Sequence, residues 1–345
     1  MDLRRILPCL HQAKLRAMFQ GLKELRAARG RTLLITVTVG LIAVLVTFLS
    51  TLTAGLGHQS VSALKNLAGD DDLILADSGS TSLSASTLTP EVTADLEDAG
   101  ATPLWQIRDR IADTPVMILN SPDLGPGEIS LPSEIAATAL PDHNISSMLG
   151  SVTDTDNNLY LDHLPVMMVS TTDVRNLAEA RNIPGPAGAF LSTSQVDELP
   201  PGTLALTGAD RWTASASYQG EQMSLNLMIV MLYVISGLVL GAFFTVWTIQ
   251  RLRGIAVSSA LGAARRVLVA DALGQAIIVL AVGITAGALL TVAAALAASD
   301  TLPVVISSTT IVYPCLILAA SGLAGAAFSL KPVLSVSPRT ALVNA

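Results

Sequence analysis

The chain of 345 residues alternates between long apolar runs and one long polar interval. Four runs carry no charged side chain: Thr32 to Leu56, Ser224 to Gln250, Ala272 to Ser299 and Thr301 to Leu330, of 25, 27, 28 and 30 residues. About 20 residues are enough for a helix to cross the hydrocarbon of a bilayer, so each run predicts a transmembrane helix with room for tilt. The last two are separated only around Asp300 and Thr301, which predicts an antiparallel helix hairpin with a very short loop. Small residues in them, such as Gly283, Gly287, Gly322 and Gly325, allow helix backbones to approach closely in lipid. Pro314 predicts a kink in the last span.

The polar interval, 57–223, has shorter periods. "DLILA", "PVMIL", "LPVMMVS" and "GTLAL" have the length and composition of strands, while "TPEVTADLEDAG", "TTDVRNLAEARN" and "STSQVDELP" read as short helices. Thr89 followed by Pro90, and Thr172 before "DVRNLAEA", are expected helix caps. The predicted fold is an α-helical membrane protein with four transmembrane helices plus an extracytoplasmic α/β (or α+β) domain between helices 1 and 2. Ahead of the first span, Leu15, Met18, Phe19, Leu22 and Leu25 form one stripe among basic residues, the pattern of an amphipathic helix on a membrane surface or a partner. The expected order is therefore an N-terminal helix (1–31), span 1 (32–56), the polar domain (57–223), span 2 (224–250), a connecting segment (251–271), span 3 (272–299), span 4 (301–330) and a tail (331–345).

Composition agrees with a membrane protein: 51% of residues are hydrophobic and 14% charged, against about 25% charged in soluble domains. Charge placement adds an orientation. Residues 57–223 hold 23 Asp and Glu against six Lys and Arg, a net of −17, whereas eight Lys and Arg precede the first span, four lie at Arg251, Arg253, Arg265 and Arg266, and two are in the tail. The positive-inside rule then expects both termini in the cytoplasm of a bacterial cell, the acidic domain outside, and span 1 as an uncleaved signal anchor with the mature chain starting at or near Met1. The overall charge of −7 averages these two faces and gives no reason to expect nucleic acid as a partner. Cys9 and Cys315 are too far apart in the predicted topology to form a disulfide framework.

Between spans 2 and 3 lies "QRLRGIAVSSALGAARR", residues 250–266. Its Ala-rich pattern with Ile255, Val257 and Leu261 predicts a short helix after a break at Gly254, ending near Gly262. Small apolar side chains exposed beside the membrane call for a protein that covers them. The pattern R-x-R-x-IA-x-x-x-ALGA-x-RR resembles the signature of FtsX/MacB-like (type VII) ABC transporter permeases. "SVSPRTAL" near the C-terminus and "RAARGRTLLITVTVGLIAVLVT" at the first span resemble other parts of that family. Size and layout look most like its haem-efflux, HrtB-type branch. Gly254 departs from the family pattern, which has an acidic residue there.

The resemblance implies a homodimeric permease working with two copies of a separate cytoplasmic ABC ATPase, which would bind ATP and Mg. This chain lacks a G-x-x-x-x-G-K-[ST] phosphate loop and is expected not to be an enzyme or to hold a cofactor of its own. Arg251, Arg253, Ile255, Ala260, Leu261, Gly262, Arg265 and Arg266 are the expected ATPase-coupling residues. If haem is the cargo, its iron needs an axial ligand. Near the start of span 2, Tyr218, Glu221, Met223, Met228, Met231 and Tyr233 supply such groups, and Glu221, Met228 and Met231 are spaced to share a helix face. His58 is a further candidate contact. Methionine in a membrane helix more commonly serves packing, and the same layout suits export of an antimicrobial peptide, a macrolide or a lipid. It also suits an FtsX-like regulator that transmits movement to a wall hydrolase without transport.

Overall fold

Among the described residues four helices are long and apolar enough to cross a membrane, as the apolar runs predict, and a sheet-bearing α/β region separates the first from the second in sequence. The structure, a computed structural model, describes residues 29–111, 113–133, 135–136, 151–154, 157–183, 188–193, 199–260, 265–299 and 301–330. The stripe at 11–25, the helical reading of 194–198, Leu261, Gly262 and the tail lie outside the described residues.

In chain order the elements are α1 (Arg29–Ala68), β1 (Asp72–Ala76), α2 (Pro90–Asp98), β2 (Thr102–Leu104), β3 (Gln106–Ile111), β4 (Thr114–Ser121), β5 (Glu128–Ser130), β6 (Ser151–Asp154), β7 (Tyr160–Leu161), β8 (Leu164–Ser170), α3 (Thr171–Ala180), β9 (Ala189–Ser192), β10 (Thr203–Leu206), α4 (Ala216–Ala260), α5 (Arg265–Ala298) and α6 (Ser308–Ser329). They form two compact units, Thr53–Leu225 and the remainder.

In the membrane unit, helices pair through glycine. A methyl group at Gly287 of α5 would lie 2.5 Å from the Gly40 carbonyl oxygen and 2.6 Å from Ala43 Cβ of α1, and one at Gly283 would lie 2.7 Å from Val39 Cγ1. One turn on, the Thr47 and Thr291 hydroxyls meet at 2.7 Å in a buried hydrogen bond. The contacts advance in the same direction on both helices, so α1 and α5 are parallel. The pair α4 and α6 repeats the scheme: Gly241 opposes Gly325, and the buried Thr248 and Ser329 hydroxyls are 3.0 Å apart. Lipid tails are as apolar as leucine, so helices associate in hydrocarbon by close packing and by such hydroxyl bonds. Ile35, Val39, Leu240, Phe244, Leu280 and Leu318 fill the space between the pairs.

Two expectations about this unit are corrected. Helix α4 passes through Gly254 without a break and ends at Ala260. A single glycine costs about 1 kcal/mol in a helix, too little to stop one 45 residues long. The last span begins at Ser308, so its link to α5 is not a very short loop but runs from 299 to 307. Pro303 disfavours helix at Leu302, and Ser307 forms a capping box with Thr310, accepting from its N–H at 3.2 Å while Thr310 Oγ1 accepts from the Ser307 N–H at 3.0 Å. The link is pinned by the Val305 N–H, which donates to the Thr51 carbonyl of α1.

The α/β unit holds one antiparallel sheet of order β10-β1-β9-β2 and a second of order β3-β4-β8-β5-β6, in which β4 and β8 are parallel and β7 adds to β8. Its central strands are apolar throughout because both faces are covered. Val116, Ile118, Met167 and Val169 point to a core shared with Leu96 of α2 and Val174 of α3, while Met117, Leu119, Val166 and Met168 point to a core shared with Ala63, Leu64 and Ala68 of α1. This second core explains why α1 extends to Ala68, past the last residue of the apolar run. Asn120 ties the layers together, accepting from the Trp105 N–H and donating to the Pro103 carbonyl and to Thr171. The cap of α3 is Ser170 rather than Thr172, its hydroxyl accepting from the Asp173 N–H at 3.1 Å, whereas Thr89 caps α2 as expected.

Gly287→Ala should lower stability by about 1–3 kcal/mol, because the added carbon meets backbone that cannot rotate away. Gly274→Ala, with open space around it, should stay within about 0.5 kcal/mol of the parent. Thermal unfolding of the detergent-solubilised variants checks both.

Candidate functional site

Strands β7 and β8 are joined by Asp162 and His163 alone, between paired Leu161 and Leu164. Both turn residues have positive φ, 51° and 62°, as a two-residue hairpin of primed type requires. Asp and His tolerate this region better than most side chains, yet at a cost that surrounding bonds must offset.

Those bonds run to two helices. On α1, the Gln59 and Ser60 carbonyls accept the His163 and Asp162 N–H groups at 3.0 and 3.1 Å. The Ser62 hydroxyl accepts the Tyr160 N–H at 2.8 Å. At the start of α4, Asp162 Oδ1 accepts from the Ser215 hydroxyl at 2.7 Å and from the N–H and hydroxyl of Ser217, both at 3.1 Å. Ser215 in turn accepts the Tyr218 N–H at 3.2 Å. A carboxylate facing a helix N-terminus is stabilised by the unpaired N–H groups there, and Arg108 lies 3.6 Å from its other oxygen.

His163 adds a side-chain link. Its Nε2 donates to Glu221 Oε1 at 3.0 Å, and its Nδ1 is 3.4 Å from the Gln59 amide oxygen. The second oxygen of Glu221, Oε2, is buried without a partner among the described residues. An unpaired carboxylate oxygen is a costly feature, and one able to take a proton donor or a cation. Just beside it, the Gln222 side chain lies over Gly57 of α1.

The predicted contact residues divide between two settings. Glu221 and His58 belong to the clamp at the turn: His58 Nε2 bonds to the Asn158 carbonyl at 3.0 Å, and its ring stands edge-on to Tyr160. Tyr218 is half-buried in the first turn of α4. Met223, Met228 and Met231 instead project outward, 82%, 58% and 54% exposed. Along α4, residue 228 is two turns from 221, and 231 one turn further. Tyr233 is half-buried in the same helix.

Of the residues expected to couple to an ATPase, Arg251, Arg253, Ile255 and Ala260 fall in the last turns of α4, and Arg265 and Arg266 open α5. Two residues of this region were not singled out by sequence. His163 sits in "LDHL", two residues between strand-like leucines, a pattern that carries the hairpin signal. Arg211 is buried and donates to the Gly69, Asp71 and Gly208 carbonyls, closing the C-terminal end of α1. Its guanidinium stacks 4.8 Å from the Trp212 ring.

Four helices able to cross a membrane and an α/β unit between the first two in sequence describe a multi-pass membrane protein, and similarity to known proteins points to a permease subunit. The chain is 25% identical over 343 residues to "Putative hemin transport system permease protein HrtB" of Staphylococcus haemolyticus, covering 93% of this chain and 97% of that protein. A protein of the same name from Staphylococcus epidermidis is 25% identical over 280 residues, 71% of this chain and 76% of its own length. The same-named protein of a second S. epidermidis strain is 45% identical over a block of 53 residues, 15% of each chain. No family model matches. The chain thus resembles ABC-type permeases of the HrtB-like branch, in agreement with the likeness carried by its own motifs.

Asp162→Ala should release the start of α4 while leaving the sheets intact. Hydrogen exchange of amides 216–222 should accelerate at least tenfold, with exchange in β4 and β8 unchanged. Unchanged protection at 216–222 would mean that the turn does not hold that helix.

Proposed function

We propose that this chain is the membrane permease subunit of an ABC-type efflux pump exporting haem, taken laterally from the membrane and driven by a separate cytoplasmic ATPase. The observation that carries this reading is the similarity along nearly the whole chain to proteins named as hemin transport permeases. The pump is a homodimer with two ATPases, and the charge distribution favours cytoplasmic termini with the α/β unit outside.

On this reading the outward face of α4 meets the cargo. Haem is flat and largely apolar, so it partitions onto a helix face such as that of Met228 and Met231, where thioether sulfur can ligate iron and adapt to an irregular surface. Glu221 offers a carboxylate at the upper end of the same face. His163 holds Oε1 and so orients the group, leaving Oε2 for the iron or a proton donor. Because Oε2 is covered in this structure, cargo reaches it once α4 shifts against the turn.

The drive reaches this point through α4 itself. Helix α4 is continuous over 45 residues, about 67 Å, and carries the movement from its ATPase end. The coupling residues at its lower end, with Leu261, Gly262, Arg265 and Arg266, are the docking surface for the ATPase. The same rod and clamp would serve a regulator that moves its α/β unit without carrying cargo, and haem binding separates the two.

Purified chain should shift the Soret band of haem. Glu221→Gln and the pair Met228→Leu with Met231→Leu should each weaken binding about tenfold, whereas Leu296→Met on α5 should not. Absence of a shift, or equal affinity in every variant, would remove haem from the proposal. Ala260→Glu should leave haem affinity intact and abolish efflux while ATP hydrolysis continues. Normal efflux in that variant would show that the docking site lies elsewhere.

A further inference from the structure

Towards the end of the membrane unit where α1 and α5 begin and α4 and α6 finish, the helices surround a cavity of about 20 Å³. Ile35 of α1, Trp247 and Thr248 of α4, Gln275 of α5 and Ser329 of α6 contribute to its lining. Ten of the eleven lining residues are buried and only Ala272 is half-buried, so the space is internal and not a notch in the lipid-facing surface. Its size limits the occupant. About 10–15 Å³ of such space is enough for one water, and nothing larger than a water or a bare ion fits.

Polarity decides between a dry and an occupied cavity. Thr248, Gln275 and Ser329 are 6%, 3% and 4% exposed, polar side chains in a unit filled mainly by Ile, Val, Leu and Phe. The Thr248 and Ser329 hydroxyls are 3.0 Å apart, and Ser329 donates to the Ala326 carbonyl of its own helix at 2.7 Å. A hydroxyl has one proton to give. Ser329 spends its proton on that carbonyl and Thr248 spends its own on Ser329, which leaves the Thr248 oxygen as an acceptor with no donor among the described residues. Lipid cannot supply one. On α5, the Gln275 amide is oriented by Asp271, whose Oδ2 accepts from its Nε2 at 3.1 Å. A primary amide carries a second N–H and an acceptor oxygen besides.

Water matches both groups, because it can donate to a hydroxyl oxygen while it accepts from an amide N–H or donates to an amide oxygen. A cation does not match: no lining residue is charged, and a positive ion cannot donate a proton to Thr248. We propose that this cavity is a binding site for one structural water that bridges Thr248 of α4 to Gln275 of α5. Through the Thr248–Ser329 bond the water also reaches α6, so it joins the α4–α6 pair to the α1–α5 pair. A bridging water is nearly as good a link as a direct hydrogen bond. The site is independent of the cargo proposal, since no candidate haem contact lines it.

X-ray footprinting of the full-length chain in detergent tests this. Radiolysis converts a bound water to a hydroxyl radical in place, so an aromatic ring beside it is hydroxylated although bulk solvent does not reach that ring. Phe244, buried in the lining, should be hydroxylated about fivefold faster than Phe190, buried in the α/β unit. Thr248→Val keeps the shape and removes the acceptor, while Ala276→Val fills the space. Each should bring Phe244 down to the rate of Phe190. If Ala276→Val fails to fold, Thr248→Val and the unaltered chain decide together. Equal rates at the two rings of the unaltered chain would mean a dry cavity and overturn the proposal. Fast hydroxylation of Phe244 that persists in Thr248→Val would mean access of bulk solvent and overturn it as well. Loss of the signal on replacing sodium and potassium by choline would assign the site to a hydrated cation instead.

Discussion

The Asp162-His163 turn is the constraint on which the rest of the arrangement depends. Two residues with side chains are held in a backbone region that glycine occupies most easily, and they stay there because both N–H groups bond to α1 while the Asp162 carboxylate bonds to the first turn of α4. The turn is the tip of a hairpin whose second strand, β8, runs through the centre of the larger sheet. Any movement of that sheet relative to the turn must therefore strain the bonds to both helices. The same hydrogen bonds place Glu221, because His163 reaches it from the turn.

The membrane unit is organised by glycine contacts so close that an added methyl group would displace its neighbour. Parallel packing of α1 with α5 and of α4 with α6 gives two helix pairs, each secured beyond its glycines by a buried pair of hydroxyls. Such contacts are rigid: the backbone neighbours of Gly287 and Gly325 have no alternative position.

Much of this was legible in the sequence because it rests on local period or composition. Uninterrupted apolar runs gave the four helices, strands such as "LPVMMVS" announced themselves by length and β-branching, and Thr89-Pro90 marked a helix start. The errors came where a neighbour overrides local preference. Nothing local shows that Ala63, Leu64 and Ala68 would extend α1 into a sheet core. Gly254 was weighed as a breaker although the helix around it outweighs one glycine. Pro303 and the Ser307-x-x-Thr310 pair were visible signals for a later start of α6 that the lack of charge obscured. At the candidate site, Glu221 and the methionines were candidates by side-chain chemistry once haem was supposed as cargo, whereas His163 lies 58 residues from Glu221 in sequence and meets it only through the hairpin.

Transport of haem is the centre of the account, and ATP-dependent movement of haem in proteoliposomes that contain this chain with its partner ATPase measures it most directly. The account predicts loss of haem from the loaded membrane that requires both proteins and ATP, and that fails with Glu221→Gln despite continued ATP hydrolysis. Hydrolysis with no haem movement by the unaltered chain would contradict it.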